Sequence, residues 1–141
     1  ATRIPDAAQN AAVDAVVDRA DLGAGAATLK IYTGAQPADA DTDPAGTLLV
    51  TITLNDPAFD AAASGSAALD VVPALAGVAV ATGTAGCFAI EDSTGTVNVV
   101  QGDVTTIAVG TGDLQLDNTS ITSGQTVNIT WDAGANKIFK L

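Results

Sequence analysis

From Thr28 onward the chain changes its hydrophobic period, from every third or fourth residue to every second, and turn-forming residues interrupt the pattern at short intervals. A chain patterned this way must hide one side of many short strands. Segment 47–54 is the clearest of them, with Leu48, Val50, Ile52 and Leu54 on one side and mostly Thr on the other, as a strand with one buried face requires. Further strands are expected at 28–33, 69–72, 78–82, 86–91, 96–101, 104–109, 126–131 and 136–141. Between them stand Gly, Pro and Asp clusters such as Asp43-Pro44-Ala45-Gly46, Asp56-Pro57, Ser93-Thr94-Gly95 and Gly110-Thr111-Gly112. This spacing predicts an all-β fold, a β-sandwich or jelly-roll-like arrangement, with one N-terminal α-helix.

That helix is expected over 5–22. Pro5 suits a first helical position, Asp6 sits where the helix dipole favours a negative charge, and Gly23 is placed to end the helix. Val13, Val16, Val17 and Ala20 make one narrow apolar face flanked by Asp14, Asp18 and Asp21. The segment 23–27, all Gly and Ala, has neither periodicity nor bulk and reads as a hinge. The expected organisation is therefore an N-terminal arm and helix over 1–27 and a β-sandwich domain over 28–141.

At 141 residues the chain has room for one domain that hides roughly two-thirds of the surface it exposes when unfolded. Its apolar fraction is 48%, but 29 of those residues are Ala, so the core must be thin and rely on Val, Leu and Ile. Five Lys and Arg stand against 16 Asp and Glu, a net charge of -11, which opposes binding to phosphate backbones and anionic membranes. The apolar stretch from Val71 to Val80 is broken by Pro73 and falls far short of the roughly 20 residues of a membrane-spanning helix. The opening residues Ala1 to Pro5 carry no continuous apolar run of the kind a secretion signal uses.

The charges are unevenly placed. Arg3, Arg19 and Lys30 precede Ile31 and Lys137 and Lys140 follow Asn136, while the span between holds no cation and twelve of the acids. The β body is expected to be anionic throughout, leaving the two ends as the places where attraction to an acidic partner can concentrate.

With no His and one Cys, His-based acid–base catalysis, a Ser-His-Asp triad, a Cys/His zinc site and an internal disulfide are all excluded. No catalytic, cofactor or metal site is expected. Asp39, Asp41 and Asp43 alternate as the first ligands of a calcium loop do, but Pro44 stands where an EF-hand needs Gly and Val50 where it needs Glu, so a solvated turn is the favoured reading. Cys87 lies inside an expected strand with no neighbouring base and reads as a buried, inert thiol. Glu91 and Asp92, adjacent at a strand end, should point to opposite faces and cannot act as a glycosidase pair. Tyr32, Phe59, Phe88, Trp131 and Phe139 are the only aromatics. Phe88 and Phe59 read as core anchors, while Trp131 and Phe139 are candidates for filling a partner's pocket.

Several of these runs together resemble a family of small proteins encoded among the structural genes of tailed bacteriophages and prophages. The resemblance is carried by Asp14-Ala15-Val16-Val17-Asp18, by Thr28-Leu29-Lys30-Ile31-Tyr32-Thr33-Gly34-Ala35-Gln36-Pro37, and by Gly46-Thr47-Leu48-Leu49 with Leu54-Asn55-Asp56-Pro57-Ala58-Phe59. It continues through Gly83-Thr84-Ala85-Gly86-Cys87-Phe88, Gly112-Asp113-Leu114-Gln115-Leu116 and Ser120-Ile121-Thr122-Ser123-Gly124-Gln125-Thr126-Val127. Family members commonly carry a bulky aromatic where Cys87 stands and Gly where Asp60 stands. The resemblance implies a non-enzymatic virion structural protein, a head decoration or cement protein on the capsid exterior that binds the major capsid protein and clamps neighbouring subunits. It also implies a homotrimer, as cement proteins often occupy three-fold positions.

The residues expected to touch the capsid are Arg3, Ile4 and Pro5 together with Lys137, Phe139 and Lys140, the cationic or apolar ends of an anionic body. Two other classes compete with this reading. One is a tail or baseplate component, present in far fewer copies per particle. The other is a β-sandwich adhesion module for a host glycan or receptor, which the scarcity of aromatics disfavours.

Overall fold

The strand Gly83–Glu91 is buried from Ala85 to Glu91 apart from half-buried Gly86, so both of its faces must be covered. The computed structural model, which describes residues 1–129 and the backbone of Phe139 and Lys140, is organised around this requirement. In chain order the strands are β1 (Thr28–Thr33), β2 (Leu48–Thr53), β3 (Ser66–Ala67), β4 (Leu75–Val78), β5 (Gly83–Glu91), β6 (Asn98–Thr106), β7 (Leu114–Leu116), β8 (Ser120–Ile121), β9 (Thr126–Ile129) and β10 (Phe139–Lys140). A single helix, α1 (Asp6–Val17), precedes them and tightens into a 3₁₀ turn over Asp18–Asp21. The fold is all-β with one short N-terminal helix.

The main sheet runs β2-β1-β5-β6-β7, with β8 pairing the start of β5. Its pairings are antiparallel except β6 with β7, which are parallel. Register decides which side chains share a face: Ile31 lies opposite both Val50 and Phe88, and Leu29 opposite both Ile52 and Ile90. Across the next ladder Phe88 faces Gly102 and Ile90 faces Val100. These residues form the inner face and, Gly102 aside, belong to one hydrophobic cluster with Leu75, Ala79, Val127 and Ile129 of the β4–β9 region. Val13, Val17 and Ala20 of the helical segment and Ala58, Phe59 and Leu69 of the connection after β2 complete that cluster.

Two glycines set the closeness of this packing. A Cβ on Gly77 of β4 would lie 2.6 Å from the Thr51 carbonyl oxygen and 2.9 Å from side-chain carbons of Val50 and Ile52, so β4 can cross β2 closely only because that side chain is missing. A Cβ on Gly102 would lie 2.5 Å from Cε1 of Phe88, whose ring occupies the space instead. Gly102 therefore does not separate two strands, as expected from 96–101 and 104–109. It lies within one continuous strand, β6.

Other boundaries moved for equally local reasons. The helix is shorter than 5–22, with Pro5 as its N-cap in an extended conformation, and Val16 stays partly exposed while Val13, Val17 and Ala20 are buried. Segment 69–72 makes no strand: Leu69 forms one isolated bridge to Phe59, and the Asp70 carboxylate accepts from the Val72 N–H. Segment 78–82 yields only its first residue, because the strand lies earlier, over β4. Of 126–131, β9 occupies 126–129, and of 136–141 the described part is β10. In β2 the pairing skips Leu49, so this bulged residue is buried alongside Val50 instead of alternating with it.

Gly102→Val would drive two methyl groups into the Phe88 ring and should cost about 1–3 kcal/mol as an overpacking substitution. Urea unfolding should show a lower midpoint at unchanged slope; a wild-type midpoint would mean that the ring does not fill this space.

Candidate partner-binding surface

Strand β3 links segments from the two ends of the chain. Helix α1 packs against β3, and the Asn10 side-chain oxygen accepts from the Gly65 N–H at 2.8 Å. Gly65 has a positive φ, and a Cβ there would collide with the Gln9 amide, so glycine lets the turn and the helix meet. Gln9 in turn donates to the Ile4 carbonyl oxygen at 2.6 Å, tying the N-terminal arm to the start of the helix. On its other side β3 pairs with β10, Ser66 opposite Lys140 and Ala67 opposite Phe139. β3 therefore contacts both the helix to which the N-terminal arm is tied and the strand bearing Phe139 and Lys140.

Arg3 and Pro5 are exposed, and Ile4 is 58% exposed. Lys137 and Trp131 lie outside the described residues. The helix is anchored here by carboxylates and amides that accept backbone N–H groups. Asp14 accepts from Ala62 at 2.7 Å and Asp21 from Ala58 at 3.1 and 3.2 Å. Burial is the main cause pushing the Asp21 carboxyl above the ordinary carboxylate range, opposed by the Ala58 N–H. On either side of the 23–27 segment read as a hinge, the Ala20 carbonyl accepts from Ser93 and the Ala27 carbonyl, at the segment's last residue, from Leu54, both at 2.9 Å.

The other constellations are occupied in structural work. On the outer face of β1 and β5, Lys30 donates to Glu91 at 2.6 Å, and this hydrogen bond is the largest cause holding the Lys30 ammonium above its ordinary value. The 34–47 connection is tied to β6 beside this face, with Gln101 donating to the Thr42 carbonyl and Asn98 to the Asp43 carboxylate, each at 2.8 Å. Asp39 accepts from the Asp41 N–H, an Asx turn. Among the described residues no group of three or more carboxylates or thiols could hold a metal ion. Cys87 is fully buried, and burial raises its thiol pKa. Phe88 and Phe59 are buried in the core, as expected, and Tyr32 is half-buried on the outer face. Asp92 turns away from Glu91 to accept from the Thr94 hydroxyl at 2.6 Å. That bond, helped by backbone N–H groups of Thr96, Val97 and Thr94, lowers its pKa.

One carboxylate pair gave no sequence signal. Asp103 on β6 accepts from the Asp113 N–H at 2.9 Å, and Asp113 accepts from the Asp103 N–H at 3.4 Å. Ten residues apart along the chain, the two become neighbours only through the parallel β6–β7 pairing. A groove of about 280 Å³ is lined by Leu116, Asp117, Asn118, Ile121 and residues 125–128. No helix among the described residues is long and apolar enough to cross a membrane.

Against family models, curated proteins and solved structures, the chain finds no match.

Partial burial, first, and the Asp103 carboxylate, second, raise the Asp113 pKa. A raised carboxyl favours the folded state while it is protonated, and that contribution is lost as pH rises through the folded pKa. Asp113→Asn cannot ionise, so its stability relative to wild type should grow between about pH 4 and about pH 7. Urea midpoints across this range test the sign; a difference independent of pH would contradict it.

Proposed function

We propose that this chain is a non-enzymatic structural protein of a bacteriophage virion, a head decoration protein that binds the outer surface of the major capsid protein shell and stabilises it. The observation that carries the reading is that β3 links segments from the two ends of the chain. In a body with twelve acids and no cation between Ile31 and Asn136, β3 contacts the helix that follows exposed Arg3 and Ile4 and pairs with the strand that carries Lys140. Such a surface suits an acidic, partly apolar seam between shell subunits, where apolar burial supplies affinity and the cations supply orientation. In this reading the strands form a β-sandwich or jelly-roll-like body, the chain acts as a homotrimer on the capsid exterior, and neither nucleic acid nor membrane is a partner.

Decoration stabilises a shell because a ligand that binds the assembled state and not the dispersed one shifts the equilibrium toward assembly. That requires no catalytic group, in keeping with a chain without His whose thiol is buried and whose carboxylates mostly accept backbone and side-chain N–H and O–H groups. The resemblance of the Leu29-Lys30-Ile31-Tyr32-Thr33-Gly34 region and its companions to phage structural proteins selects this reading from the binding functions an all-β body can serve.

The test is the double variant Arg3→Glu with Lys140→Glu, added to shells stripped of this chain. Binding should fall roughly three- to tenfold at low salt, and the salt dependence shown by the wild type should disappear. Wild-type affinity and wild-type salt dependence after both reversals would overturn the assignment of the contact.

A further inference from the structure

Cys87 and Ala89 project from the outer face of β5, away from the core, yet both are fully buried. Register places them in two rows across the sheet, Tyr32–Cys87–Asp103 and Lys30–Ala89–Gln101. The segment that crosses these rows is the 34–47 connection. Its base is clasped beyond the Tyr32 row, where the Thr33 N–H donates to the Thr47 carbonyl at 3.0 Å and the Thr47 N–H to the Thr33 hydroxyl at 2.8 Å. Its far end reaches back along the sheet to β6, where Gln101 donates to the Thr42 carbonyl and Asn98 to the Asp43 carboxylate. Pro44, next in the chain, is buried. The Lys30 ammonium, raised first by its hydrogen bond to Glu91, and the Tyr32 hydroxyl, raised first by burial, both also sense the Asp43 charge, which puts that carboxylate over the same face. Cys87 thus lies between the base of the segment and its latch at 42–44.

The latch is slight. Among the described residues, the two side-chain bonds from Asn98 and Gln101 are what ties 35–46 to the body by hydrogen bonding. The bonds that the Asp41 and Thr42 N–H groups make to Asp39 are internal to the segment and survive its movement. Closure also leaves the Gln101 side-chain oxygen buried without a partner, a cost that water removes once the segment lifts. We propose that the 34–47 connection is a strap that lifts from the outer face as a unit, turning about its Thr33–Thr47 base, while β1, β5 and β6 stay paired. The sheets hold many buried contacts and the strap few, so its opening belongs to the low-energy local motions of the fold. The open state presents Lys30, Tyr32, Glu91 and the Cys87 thiol, a face that the closed protein does not show.

Reaction of Cys87 in the whole chain with dithiodipyridine, a small neutral disulfide whose released thiopyridone is read by absorbance, tests the strap. The rate should be nearly flat in urea below the unfolding transition, because lifting the strap exposes little surface. Asn98→Ala removes one tie and should raise that rate about fivefold. Ile129→Val, a core truncation in β9, weakens the global fold and not the strap, and should leave the rate unchanged. If Asn98→Ala fails to fold, Asp43→Ala removes the same tie from the strap's side. A rate that climbs with urea as steeply as global unfolding does, or that rises with Ile129→Val, would mean that the thiol is reached only by unfolding and would overturn the strap. A flat rate that neither tie variant changes, or a thiol that never reacts in the native state, would overturn it as well.

Discussion

The burial of β5 on both faces is the constraint that the rest of the molecule answers to. A strand carrying Phe88 and Ile90 on one side and Cys87 and Ala89 on the other has no face to offer to water. Its inner face is met by Ile31, Leu29 and Val100 through register, and by the helix, the β4–β9 ribbon and the 58–69 segment through packing. Its outer face ends in the Lys30–Glu91 pair, and the tied-down 34–47 connection lies alongside. The core is carried by Val, Leu, Ile and Phe with Ala among them, and Gly77 and Gly102 sit where a Cβ would meet the Thr51 carbonyl oxygen and the Phe88 ring.

The same economy of side chains sorts the surface. Many of the carboxylates accept N–H or O–H groups: Asp14 and Asp21 hold the helical segment to the body, Asp92 closes its own turn, and Asp103 and Asp113 join β6 to the start of β7. A chain with this excess of acid thereby uses its charges as acceptors for backbone donors. The surface also carries exposed aliphatic side chains, Ile4 in the N-terminal arm and Val78 and Val80 at the β4–β9 ribbon among them. In the proposed reading the segments at the two chain ends join the body to the shell, so that subunit seams are clamped without any group needing chemical reactivity.

Much of this was legible in the alternation of apolar residues. β1 appears at the bounds that alternation predicts, and β2 loses only one residue at each end. β5 was foreseen only in part, since a strand buried on both faces has no alternation to read. β3, β7 and β8 left no trace because two or three residues cannot establish a period; they exist through pairing with distant partners. Gly102 looked like a break because glycine without context signals a turn, and only the register with Phe88 reveals it as a packing site. At the candidate surface, charge placement picked out Arg3 and Lys140. That β3 links their segments depends on contacts such as Asn10 with Gly65, 55 residues apart, which no local pattern encodes.

The central claim, decoration of a shell, is tested most directly by the number of copies of this chain in purified native particles relative to the major shell subunit. The account predicts a ratio of about one, or about one-third where only some lattice positions are filled. A few tens of copies or fewer per particle would place the chain in the tail or portal region, and its absence from particles would contradict a virion role altogether.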